Sequence, residues 1–98
     1  MSKRLCTFLM VLVFFSFSLS GCYYFSARDQ MKTAENLLSD LKSQGGEKLV
    51  PYEYCSAKSF LEMSKLEADE GDWKQAKEFA TRSKSAAEVG LAQVKEKK

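Results

Sequence analysis

The side chains best able to form a covalent bond in this chain are three cysteine thiols, Cys6, Cys22 and Cys55. A catalytic thiol acts as its thiolate and is activated by a neighbouring base, most often an imidazole. The sequence contains no histidine. No serine lies in a Gly-x-Ser-x-Gly pattern, so a nucleophile–base–acid triad cannot be composed from these residues. A zinc site would need imidazoles or clustered thiols, and neither is present. Glu67, Asp69, Glu70 and Asp72 gather around Gly71 without the spacing of a calcium-binding loop. Gly45-Gly46 lacks the lysine and preceding strand of a phosphate-cradling loop. These patterns point away from catalysis, and the expectation is a protein that is not an enzyme and holds no metal or dissociable cofactor.

Cys22 stands apart by its position. Lys3 and Arg4 precede an apolar run over 5–19, which is shorter than the roughly 20 residues a spanning helix needs. A basic start, a short apolar stretch and small residues at its exit make a secretory signal. The order Leu19-Ser20-Gly21-Cys22 resembles the lipobox of bacterial lipoprotein signal peptides. The resemblance implies that the Cys22 thiol takes up a diacylglyceryl group. A peptidase recognising Leu19, Ser20 and Gly21 would then cut before Cys22, and the new amino group would receive an N-acyl lipid. On this basis 1–21 is a cleaved signal peptide, 22–26 a lipidated N-terminal tether and 27–98 a helical domain. Each buried methylene contributes about 0.8 kcal/mol, so two or three acyl chains hold a protein on a membrane durably. In enteric-type members of that family an Asp after the lipidated Cys favours the inner membrane. Tyr23 occupies that position here, which implies the outer membrane, facing the periplasm. Tyr23, Tyr24 and Phe25 would lie beside the acyl chains, either in the headgroup layer that aromatic rings favour or as a plain tether.

Charge bounds the partners. Removing Lys3 and Arg4 from the chain's 15 Lys and Arg leaves as many basic as acidic residues, the latter being 13. A balanced surface of this kind argues against nucleic acid. The remaining cysteine, Cys55, has no intramolecular partner once Cys6 leaves and Cys22 is acylated. It is either a small, half-buried thiol on a helix or the site of an intermolecular disulfide.

The elements that carry these residues are helical. Ala27, Met31, Ala34, Leu38 and Leu41 share one stripe, which predicts a helix over about 27–43. Gly45 and Gly46 end it, a loop follows over 45–50, and Pro51 suits the first turn of the next helix. That helix, over about 51–70, carries one stripe with Tyr54, Ala57, Leu61, Ser64 and Ala68. A second stripe with Tyr52, Phe60 and Met63 lies broadly opposite. Two apolar sides suggest two neighbours, so this helix is expected in the middle of a three-helix arrangement. Gly71 and Asp72 supply a stop and a new N-cap. A third helix over about 73–95 places Trp73, Ala76, Ala80, Ser83, Ala87, Leu91 and Val94 on one narrow face. The fold class expected is all-α: a signal-peptide helix, then a small antiparallel three-helix arrangement.

The stretch Glu70-Gly71-Asp72-Trp73-Lys74-Gln75-Ala76 resembles the turn of a tetratricopeptide-type helical hairpin, with Glu67 and Ala80 standing where that family has aromatics. Across most of the chain after Cys22, the opening Pro51-Tyr52-Glu53-Tyr54 and the turn Gly71-Asp72-Trp73 resemble small alanine-rich helical lipoproteins of uncharacterised function. That likeness implies architecture and location. Tyr52, Phe60 and Trp73 are the candidate partner-binding residues: core if neighbouring helices cover them, anchors for an envelope protein if left bare. The ending Glu96-Lys97-Lys98 resembles that of major outer-membrane lipoproteins, whose terminal lysine is joined to peptidoglycan; a frayed basic tail is the other reading. The function expected is a helical protein-interaction or scaffolding module on the outer membrane. The alternatives are a structural tether from the membrane to peptidoglycan through Lys98, and an accessory lipoprotein subunit of an envelope transport or assembly complex.

Overall fold

The computed structural model describes residues 2–97, with the side chains of residues 2 and 16–22 outside the described set. All the elements among these residues are helices: α1 (Ser2–Ser43), α2 (Gly46–Leu49), α3 (Pro51–Asp69) and α4 (Trp73–Lys97). The chain is all-α.

In the full-length chain residues 22–26 belong to α1, a single helix of 42 residues. The local reason is composition. Gly21 is the single glycine between Ser2 and Ser43, proline is absent there, and one helical glycine costs only about 1 kcal/mol relative to alanine.

α1 stops where the glycines begin. Gly45 adopts the left-handed conformation at φ 83°. The loop expected over 45–50 contains one helical turn, α2, before Val50 breaks the pattern at φ −135° and Pro51 opens α3. Gly46 must be a glycine for want of space. A Cβ there would fall 2.5 Å from Leu41 Cγ and 2.7 Å from the Leu41 carbonyl oxygen.

The α3–α4 corner follows the chemistry of its residues. Gly71, at φ 85°, donates its N–H to Ala68 O (3.0 Å), and Asp72 N–H reaches Glu67 O (2.9 Å). These two bonds make a Schellman stop. Asp72 Oδ1 then accepts the Gln75 N–H at 3.1 Å and caps α4.

α1 and α4 run parallel, and α3 runs against both. Tyr24 meets Trp73 at one end, while Leu41 approaches Gly90 at the other. α4 packs along both α1 and α3, which touch each other far less. The middle helix is therefore α4, which corrects the expectation that α3 would hold that place. Side-chain size explains the outcome. The buried residues of α4 are Ala76, Ala80, Ser83, Ala87, Gly90 and Val94. Small residues let two neighbours close in on one helix from different sides, which a stripe of large residues would prevent.

The core has two textures. Leu41, Val50, Tyr54 and Val94 form an apolar plug at the α2 end, with Leu38, Leu49 and Leu91 packed against it. Toward the Trp73 end the seam is mostly alanine and serine. There two buried hydroxyls clasp α3 to α4 reciprocally. Ser64 Oγ donates to Ala76 O and Ser83 Oγ donates to Ala57 O, both at 2.6 Å. Alanine at either position removes the donor and leaves no orphaned polar group. Ser64→Ala and Ser83→Ala should therefore each lower stability by about 1 kcal/mol, read as a shift in the urea midpoint with an unchanged slope.

Candidate functional site

Two surfaces gather the residues singled out in the sequence. The first is the end of the body from which the apolar N-terminal part of α1 emerges. Along that part Leu5, Phe8, Met10, Phe14 and Phe15 are all exposed. Among the described residues, no helix is long and apolar enough to cross a membrane. The side chains of Leu19, Ser20, Gly21 and Cys22 lie outside the described residues.

Just past them the chain is clamped. The Tyr24 ring meets Trp73 edge-on, with centroids 4.5 Å apart at 77°, and meets Phe25 at 5.4 Å. Arg28 donates an N–H to the Tyr24 hydroxyl at 2.9 Å, and its guanidinium lies 5.7 Å from the Tyr24 ring centroid. Lys77 Nζ stands 5.7 Å from the Tyr23 ring centroid. Aromatic pairs in edge-to-face contact contribute about 0.5–1.5 kcal/mol beyond their burial, and cation–π contacts at exposed sites about 0.5–1 kcal/mol. The Tyr24–Trp73 and Tyr23–Lys77 contacts tie the first turn of this part of α1 to the start of α4, and Arg28 braces Tyr24 from within α1. Trp73, expected as core or as a partner anchor, is half-buried against Tyr24. Phe25 faces outward at 73% exposure.

The second surface is the outer face of α3. The apolar stripe opposite its core side splits. Phe60 is half-buried and stacks on Phe79 of α4, with centroids 6.4 Å apart and planes at 20°. Tyr52 and Met63 are exposed, Tyr52 at 77%, and Leu66 joins them at 63%. Residues 52, 55, 59, 63 and 66 recur at three- and four-residue steps, which places them along one side of the helix. Cys55 is a free thiol on this side and is exposed, where a half-buried position was one of two expectations.

A feature that periodicity did not reveal lies between α1 and α3. The two helices leave a shallow groove of about 330 Å³, with Leu38, Tyr54 and Leu61 inside and Lys42, Lys58 and Lys65 among its margins. Glu35 of α1 bridges it to Lys65 at 3.0 Å. The signal available in the sequence was the seven-residue step from Lys58 to Lys65, which puts both lysines on one side of α3. Their opposition to Lys42 depends on how the helices meet.

Among the described residues no three His, Cys, Asp or Glu side chains converge in a way that could hold a metal ion. No protein-family model, curated protein or solved structure matches the chain.

Proposed function

We propose that the chain is an outer-membrane-anchored periplasmic lipoprotein whose helical body serves as a protein-interaction or scaffolding module. The observation that carries the interaction reading is the bare stripe on α3, where Tyr52, Met63 and Leu66 stand exposed along the body. A face of this kind, with an aromatic at one end and aliphatic residues at the other, is where a partner helix gains most from burial. The anchor reading rests on the Leu19-Ser20-Gly21-Cys22 order and on the exposed apolar stretch before it. The α3–α4 hairpin, with its Gly71-Asp72-Trp73 corner and Ala76 at the crossing, is tetratricopeptide-like in this proposal.

Photo-crosslinking in intact cells tests the module. A crosslinkable residue placed at Leu66, and separately at Tyr52, should capture one and the same envelope protein. The same probe at Thr81, exposed on α4, should not capture it. Capture of the same proteins from all three positions, or of lipid alone, would contradict the module.

One observation favours the peptidoglycan tether as a second reading. Because α4 runs parallel to α1, its C-terminal end lies at the opposite pole of the body from the anchor, and Lys97 Nζ is held there by the Leu49 carbonyl at 2.7 Å. Lys98 itself lies outside the described residues. A muropeptide on Lys98, found by mass spectrometry of wall-digested envelopes, would move the assignment to that reading. The accessory-subunit alternative would use the same α3 face, docked permanently.

A further inference from the structure

We infer that the helical body stands upright on a zwitterionic lipid surface. In this arrangement its Tyr23, Phe25 and Trp73 end is seated in the headgroup layer, and no flexible stalk separates body from bilayer. The inference rests on the lipid-anchor reading above and goes beyond it, since an acyl chain by itself fixes only attachment.

The attachment point and the body share one helix. α1 passes through residues 22–26 without a break. The first turn after Cys22 is locked sideways onto α4 by the Tyr24–Trp73 contact and by Lys77 over the Tyr23 ring. A body locked to its own attachment helix has little freedom to tilt away. The same lock brings Trp73, from the α3–α4 corner, level with Tyr24. Rings from two separated parts of the sequence therefore occupy one end, with Phe25 73% and Tyr23 39% exposed. Tyr and Trp carry an apolar body and a polar tip, and they concentrate at headgroup depth for that reason.

The charges at this end choose the lipid. The segments 28–29 and 69–78 that form it carry Arg28, Lys74 and Lys77 together with Asp29, Asp69, Glu70, Asp72 and Glu78. Recruitment by anionic lipid relies on clustered Lys and Arg, each contributing about 1 kcal/mol, and here the acids offset the bases. Mixed signs match a headgroup that carries both an ammonium and a phosphate.

Upright mounting has a geometric consequence. α1 rises about 1.5 Å per residue, so the α2 end of the body stands about 30 Å above Tyr23. The α3 stripe is then displayed perpendicular to the bilayer, with Leu66 near the lipid and Tyr52 at the far pole.

Trp73 is the sole tryptophan in the sequence and reports its own depth. The test uses the lipidated protein as isolated from membranes, reconstituted into phosphatidylcholine vesicles carrying nitroxides either at the headgroup or at the acyl-chain end. The expected result is quenching of Trp73 several-fold stronger by headgroup than by chain-end nitroxide, with weak quenching by acrylamide from the water. Adding phosphatidylglycerol should leave the pattern unchanged. Vesicle-bound protein whose Trp73 answers to acrylamide and to neither nitroxide would overturn upright seating while leaving the anchor standing. Headgroup quenching that appears only with phosphatidylglycerol would overturn the zwitterionic assignment. Protein that fails to float with the vesicles would overturn both the seating and the anchor.

Discussion

Replacing Ala80 by leucine is expected to remove a large share of the body's stability, while Ala80→Ser leaves most of it in place. Ala80 has no exposed surface and lies on α4, which packs along both α1 and α3. Leucine adds three carbons where α4 must stay narrow. Extra methylenes forced into a packed core cost about 1–3 kcal/mol, occasionally more. The body after residue 21 is small enough that its core supplies on the order of 3–5 kcal/mol in total. A leucine there would meet a seam whose buried residues include Ala57, Leu61, Ser64, Ala76 and Ser83, held together by the Ser64 and Ser83 hydrogen bonds. Circular dichroism on heating should show the melting transition of Ala80→Leu lowered by roughly 5–25 °C, with Ala80→Ser displaced by only a few. Equal stability of the two variants would mean that α4 is not the shared middle helix.

The same contrast shows what the sequence disclosed and what it withheld. The α3–α4 corner was legible because it is local: Gly71 can take a left-handed φ cheaply, and Asp72 can cap the helix three residues on. Helix type was legible because alanine and leucine recur at helical spacing. The identity of the middle helix was not. Counting apolar stripes favoured α3, with Tyr52, Phe60 and Met63 opposite Tyr54 and Leu61. The packing was decided instead by which helix is thin enough for two neighbours, and small residues carry little weight in a hydrophobicity pattern. Once α4 held the middle, the second stripe of α3 was left open, which is why Tyr52, Met63 and Cys55 are exposed while Phe60 found Phe79. The tether expected over 22–26 rests on processing at Cys22, and in the full-length chain that segment is helical. Two further features depend on tertiary arrangement alone: the alignment of Lys42 with Lys58 and Lys65 across the α1–α3 groove, and the meeting of Tyr24 with Trp73. In each case the partners lie on different helices, and no spacing within one helix encodes them.

The second large effect concerns Cys22. In bacteria carrying Cys22→Ala, fatty-acid label on the protein is expected to fall to background, and residues 1–21 should remain attached. Of the three cysteines, only Cys22 directly follows small residues at the end of the apolar run. Cys55→Ala, which removes an exposed thiol from α3, should label as the parent does. Membrane recovery alone is a poor readout here, because the retained apolar helix over 5–15 is exposed and would associate with lipid by itself. Label and chain length separate the two modes of attachment.

Intact-mass spectrometry of the protein extracted from membranes tests the central claim most directly. The account predicts a chain that begins at Cys22 and exceeds the mass of residues 22–98 by a diacylglyceryl group, with or without a further N-acyl chain. A chain that still contains residues 1–21, or one that begins near residue 22 with a free thiol and no added lipid, would contradict it.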